Sequence, residues 1–357
     1  MTDLLAQLST VFIYAAMGVY VLAFIAFSLD LARRGARATA EEAAVVPSAV
    51  ARRADAHPAS VTQPVVLTAE AGGGEPGGRG ATATLTRLSS RITSRVEDEV
   101  AHGAPVSFSM RAAFVITIVG FALHLVATVL RGIAADRVPW ANMWEFSMTG
   151  TLVIIGVFLV VNLKLDIKYL GTFVLGLVLI LLGIALVRYY VPVVPLQPAL
   201  QSYWLVLHII VAVLGTAFFA LGFALSGLQL LQARRERQIA DSVPQEFKFL
   251  ATMPTAKTLE NLAYRVNIFG FIAWTFTLIA GAVWAEKAWG RYWGWDTKEV
   301  WTFIIWVIYA GYIHARATRG WRGSRSAWLA IIGFAAVMFN FGIVNVFFHG
   351  LHAYSGL

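Results

Sequence analysis

Cysteine is absent from all 357 residues. No disulfide, thiolate metal site or thiol-transfer step can therefore be carried by this chain's own side chains. Charge is scarce too. Asp, Glu, Lys and Arg make up 13% of the residues, against roughly a quarter in an ordinary soluble domain. Hydrophobic residues make up 58%, and they fall in long runs rather than in alternation, which excludes a soluble globular domain. Acidic residues are outnumbered, and the net charge is +8. A nucleic-acid partner is nonetheless excluded, because the cations form no single patch and gather in alternate connectors between apolar runs. A cleavable leader is not expected either. The run Val11–Leu31 has no basic segment before it and leads into Arg33, Arg34 and Arg37, so it reads as a retained span.

What is present is a set of eight apolar stretches: Leu8–Leu31, Ser109–Leu130, Phe146–Leu163, Leu170–Val187, Tyr203–Leu228, Ala263–Val283, Val300–Ile313 and Ala327–Phe347. A span needs about 20 such residues, and in lipid its backbone must be satisfied within its own helix. The expected fold is an all-alpha polytopic integral membrane protein of about eight transmembrane helices. Three regions follow: an N-terminal helix (1–31), a linker (32–105) and a membrane core (106–357). The linker is poor in aromatics, and Ala71–Ala81 holds six Gly and a Pro. Such composition cannot offset the cost of chain ordering, so the expectation is a disordered segment.

Orientation follows from the cations. Arg33, Arg34, Arg37 and the linker arginines, then Lys164 and Lys168, then Arg234, Arg235, Arg237, Lys248 and Lys257, then Arg316, Arg319, Arg322 and Arg325 occupy alternate connectors. The positive-inside rule puts these in the cytoplasm, both termini outside, and the protein in the cell membrane as a multi-pass protein. The remaining segments then share the outer side: Arg131–Trp144, Val191–Pro198, the Trp-rich loop Trp284–Trp301, and the tail His349–Leu357.

That Trp-rich loop carries Trp284, Trp289, Trp293, Trp295 and Trp301, with Tyr292, Gly290 and Gly294 among them and Asp296 beside them. An interfacial aromatic belt is the plain explanation, but a belt requires neither the glycines nor the carboxylates. Clustered indoles spaced by Gly form a flat shelf for a large planar ligand. Haem b fits that description if axial ligands exist. His208 lies about one turn beyond Trp204, and His352 follows the last span, with His349 one turn before it. The residues support His208 and His352 as the iron pair, with His349 as the competing ligand. His124, inside the second span, and His314, at the cytoplasmic end of the seventh, form a candidate second haem station; for each, a packed or snorkelling histidine is the plain alternative. Asp296 is the residue expected to fix the loop by accepting an N–H. Lys298 and Arg291 are two cations in reach of haem propionates, and the sequence does not choose between them.

The motif W-G-x-Y-W-G-W-D-x-K-E at Trp289–Glu299 resembles the signature of haem-handling membrane proteins with a WWD domain. It is most similar to the CcsA/ResC family of system II cytochrome c biogenesis, called CcsB in actinobacteria. R-x-P-W-A-N-M-W-E at Arg137–Glu145, Q-S-Y-W-L-V-L-H at Gln201–His208 and F-N-F-G-I-V-N…G-L-H-A-Y at Phe339–Tyr354 extend the resemblance from about Ala112 to the end. One departure is Thr297, where the family commonly has Pro; Thr can still serve at a helix start.

The resemblance implies a haem-attachment subunit. It would bind haem at the outer face through His208 and His352, with Trp289, Tyr292, Trp293, Gly294 and Trp295 around the macrocycle. It implies buried histidines receiving haem from the cytoplasmic side, which His314 matches and His124 less well. It also implies partners: a CcsB/ResB-like membrane protein with a large outer domain, a C-x-x-C-H apocytochrome c, and thiol-reducing proteins. Two rivals stay open, namely a system I-like exporter loading a haem chaperone and a small-solute transporter. The largely apolar midplanes count against the transporter.

Overall fold

The computed structural model describes residues 2–54, 107–194, 196, 200–318, 320–348 and 350–352. The chain groups into two units, Met1–Gly35 with Ser107–Leu357, and Ala36–Val106; the first contains every contact described below. The apolar runs form helices, the one local structure that satisfies each backbone N–H and C=O within its own segment. They are α1 (Thr2–Ala54), α2 (Phe108–Ala135), α3 (Met143–Val161), α4 (Gly171–Arg188), α5 (Tyr203–Ala240), α6 (Ala256–Trp289), α7 (Thr297–Ala317) and α8 (Ser324–Met338). Helix α8 continues into a π-helical turn, Phe339–Val344, and a last helical turn, Asn345–Phe347.

Seven of these helical segments are long and apolar enough to cross a membrane. The eighth, α7, has 21 residues, about 31 Å at 1.5 Å per residue. Its Trp, Tyr and charged residues make it less apolar than the rest. Several helices outrun the apolar stretches expected for them. Helix α5 continues from Leu228 to Ala240 through Gln, Arg and Glu, all good helix formers. Hydropathy marks where a helix leaves lipid, not where it ends. Helix α1 likewise runs to Ala54, into the segment expected as linker. The rest of that segment lies outside the described residues, with His57 and His102, and so do His349 and Tyr354.

Small residues set the packing, as they must where lipid offers apolar contact everywhere and close approach decides association. A Cβ on Gly222 of α5 would strike the Asn267 amide of α6, and one on Gly215 would lie 3.3 Å from the Gly270 carbonyl. Helix α1 packs on α2 and α4: Tyr20 lies against Gly120, Phe27 against Gly171, and the Ser9 hydroxyl donates to the Ala127 carbonyl at 2.7 Å.

Each end of the bundle has a buried carboxylate clamp. At one end, Glu145 accepts from Arg137 (2.6 Å) and Arg131 (3.1 Å). Arg131, near the end of α2, also donates to the Val191 carbonyl at 2.9 Å, and Arg137 of the α2–α3 loop to the Val194 carbonyl at 3.3 Å, so both are tied to the chain after α4. Glu145 is fully buried and Arg131 nearly so. At the opposite end, Glu260 pairs with Arg316 at 2.9 Å and accepts from the Gly323 N–H at 3.0 Å. Removing one partner of such a pair costs about 3–5 kcal/mol, because the other stays buried and uncompensated. The Trp-rich loop and Lys298 meet the tail at the Glu145 end, where Asn345 donates to Met143 Sδ at 3.3 Å.

Candidate functional site

Helix α6 ends where Gly290 takes a left-handed conformation (φ 69°), and its N–H caps back to the Glu286 carbonyl at 2.8 Å. Six residues later Asp296 starts α7. Its side chain accepts from the Lys298 N–H, while Glu299 reaches back to the Asp296 N–H at 3.1 Å, forming a capping box. Glu299 also takes the Gly294 N–H at 2.8 Å, so one carboxylate pins two points of the loop. Trp295 sits between them at φ 61°, a conformation unusual for a bulky residue.

Asp296 has a second task. Its Oδ2 accepts from His352 Nδ1 at 2.7 Å, and its Oδ1 from the Leu351 N–H at 3.2 Å. A Cβ on Gly350 would strike the same carboxylate, so only glycine lets the tail approach this closely. The carboxylate can only accept, so the imidazole donates from Nδ1, and no bond to Nε2 is made among the described residues. The His352 hydrogen bond holds the Asp296 carboxyl below the usual carboxylate range.

His208, on the first turns of α5, is arranged in the same way. Its Nδ1 donates to the Thr277 carbonyl of α6 at 2.9 Å, and Nε2 again makes no bond among the described residues. A Cβ at Gly281 would lie 2.8 Å from the ring, so that glycine makes the space the imidazole occupies. An oxygen acceptor on one ring nitrogen is the usual orientation of a metal-bound histidine.

The two imidazoles meet at Trp284. His208 stacks on its indole (centroids 5.8 Å, 20° between planes), and His352 meets it edge-on at 5.5 Å. Trp289 adds a second edge contact to His352 at 4.9 Å. Trp284 is itself buried in an apolar cluster with Leu205, Ile209 and Val213 of α5. Both histidines line one open cavity, with Trp284, Trp293, Tyr292 and Lys298 also in its wall.

The shelf expected at Trp289, Trp293 and Trp295 is built differently. Trp293 lines the cavity, while Trp289 backs His352. Trp295 is 76% exposed and touches Trp293 from outside the wall, and Gly294 accommodates the Arg291 guanidinium. Trp284, Thr277, Gly281 and Phe146 were not singled out by the sequence. Trp284 was visible as part of the Trp cluster. The others had no signal, because their roles come from contacts 69 or more residues away in sequence or from space left empty. His124 is fully buried in α2 beside the Tyr20 hydroxyl (3.4 Å), and its Nε2 has no hydrogen-bond partner among the described residues. His314 is exposed in the last turn of α7. Neither lines the cavity of His208 and His352.

The family described as "Cytochrome C assembly protein" matches residues 140–352, from Trp140 at the edge of the Glu145 clamp to His352. Among similar proteins, the cytochrome c biogenesis protein CcsA of Guillardia theta is 34% identical over 240 residues, 64% of this chain and 80% of that protein. That of Mesostigma viride is 34% identical over 256 residues, 66% of this chain and 83% of that one. That of Prochlorococcus marinus is 40% identical over 179 residues, 44% of this chain and 56% of that one. With its matched region spanning the tail histidine, the Trp-rich loop and the α3 clamp, this chain belongs to the CcsA family of cytochrome c biogenesis membrane proteins.

Proposed function

We propose that this protein binds haem between His208 and His352 at the outer face of the membrane and presents it for covalent attachment to a C-x-x-C-H apocytochrome c. The observation that carries this reading is the pair of imidazoles on one cavity, each with Nδ1 held by an oxygen acceptor and Nε2 left for iron. In the proposed role the chain binds and orients, and the reacting atoms belong to haem and apocytochrome. Each cysteine thiol adds across a haem vinyl group, sulfur to one carbon and hydrogen to the other, with no net electron transfer. Holding vinyl and thiol together supplies a large part of the acceleration.

The outer position rests on the positive-inside count, which places the Lys/Arg-rich connectors in the cytoplasm and both termini outside. The Trp-rich loop then faces outward, with Trp295 bare for contact. Because the chain has no cysteine, reduced thiols come from the substrate and are kept reduced by other proteins. The described loops at this end are short, so clamping of the apocytochrome falls to a CcsB/ResB-like partner with a large outer domain.

The test is haem content and reduced absorption spectrum of purified variants. His208→Ala and His352→Ala should each lose most bound haem and cytochrome assembly at near-normal protein abundance, because the helices do not depend on the ring. Exogenous imidazole should restore part of both. Full haem retention with an unchanged bis-His spectrum in both variants would remove the site.

A further inference from the structure

We propose that Lys298 is the carboxylate anchor of this cavity, taking an acid group of the bound tetrapyrrole and so fixing which edge of the macrocycle faces inward. The inference rests on the haem reading and deepens it. Lys298 stands in the first turn of α7, two residues after the loop aspartate, and lines the same cavity as His208 and His352. Its amine donates to the Asn340 carbonyl at 3.1 Å and to Asn345 Oδ1 at 2.5 Å. Both acceptors are neutral. An ammonium has three N–H donors, so one remains for a ligand.

The neighbouring cations face carboxylates, Arg291 by charge alone, since its Nη1 makes no hydrogen bond among the described residues. Arg131 and Arg137 share Glu145, Lys287 pairs with Glu286 at 3.0 Å, and Arg291 packs beneath Gly294 with Glu299 at 4.0 Å. Asp296 is turned to His352. Among the described residues Lys298 makes no salt bridge, although it borders an apolar cavity where an uncompensated cation is costly. A ligand carboxylate supplies the missing charge.

The cradle is built in advance. Asn340 lies in the π-helical turn, the kind of irregularity found at functional sites, and its amide donates to Thr302 Oγ1 at 3.3 Å. Asn345 is held by Met143. The amine is therefore aimed by three elements before any ligand arrives. The two acid groups of haem share one edge of the ring and the vinyl groups lie away from it. A carboxylate fixed at Lys298 leaves the reactive edge turned elsewhere.

The experiment compares iron protoporphyrin IX with its dimethyl ester, which has the same ring, iron and vinyl groups but no acid. Each is titrated into the detergent-solubilised full chain and followed by Trp fluorescence and the haem absorption band. Wild type should bind the free acid about tenfold or more tightly than the ester, the scale of one charge-assisted contact. Lys298→Met should bring the free acid down to the ester's affinity and leave ester binding unchanged, and Lys298→Arg should recover part of the preference. Retained ester binding shows that the variant's pocket is intact. Equal affinities in wild type overturn the anchor whatever the variants do, as does an undiminished preference in Lys298→Met. Equal loss of both porphyrins in Lys298→Met and Lys298→Gln, with wild type showing no preference, makes the lysine structural only. Wild type binding neither porphyrin overturns the haem reading itself.

Discussion

Asp296 joins two jobs in one side chain, since it caps α7 and holds His352 by Nδ1. Replacing it with Ala should therefore do two separable things. Loss of the cap costs about 1 kcal/mol of stability, read as a lower thermal midpoint in detergent. Loss of the histidine's orienting acceptor should weaken haem retention by about 10–100-fold, and Asp296→Asn, which keeps one acceptor oxygen but not the charge, should show a smaller loss of both. The sign of the pH dependence follows from the depressed Asp296 value. Its contribution is fully present above the ordinary carboxylate value of 3.8 and is lost only as pH falls through the lower folded one. His352 should thus stay tethered throughout neutral and mildly acidic conditions. Gly281 acts by absence: Gly281→Ala puts a methyl against the His208 ring and should lower haem retention about tenfold, whereas Gly183→Ala, with open space around it, should not.

At the scale of elements, the α5–α6 pair aligns the site, because α5 carries His208 and α6 carries both its acceptor Thr277 and the shared Trp284. The pair is close because glycines face each other's backbone and amide groups. Gly222→Ala forces a methyl into Asn267, and overpacking of this kind costs about 1–3 kcal/mol. Its thermal midpoint in detergent should fall relative to Gly311→Ala on α7, where nothing lies within 4 Å. The start of α7 needs no Pro at its first helical position, which is Thr297. The capping box of Asp296 and Glu299 already fixes the first turn, so a preset backbone angle at the first helical position is dispensable.

For the whole molecule, the packing brings the α2–α3 loop, the chain after α4, the Trp-rich loop and the tail to one end, and the Lys/Arg-rich connectors to the other. Reporter fusions in the loop near Trp293 should behave as extracytoplasmic, and fusions within the 55–105 segment as cytoplasmic. The reverse pattern would overturn the orientation. The 55–105 segment should also tolerate shortening with haem content unchanged, since its Gly, Ala and Ser composition offers little apolar surface to bury.

The helical class, seven of the eight expected spans and the nearness of His208 and His352 to one cavity were legible in the amino-acid order. Lipid permits a single kind of local structure for such runs, and a polar side chain near them stands out against an apolar background. The motif residues Trp293 and Asp296 were legible for the same reason. The cavity wall was not. Trp284 rather than Trp295 touches both imidazoles, Thr277 supplies a backbone carbonyl that any residue type would have, and Gly281 contributes only space. Nor did the order of residues choose between Lys298 and Arg291. Both are cations in one short loop, and only the fold shows that Arg291 turns toward Glu299 while Lys298 is carried to the cavity by Asn340 and Asn345, more than 40 residues away in the chain. Periodicity and composition report what each segment does alone against its solvent; which side chains share a cavity depends on how closely the helices pack, and that is settled by contacts between distant residues.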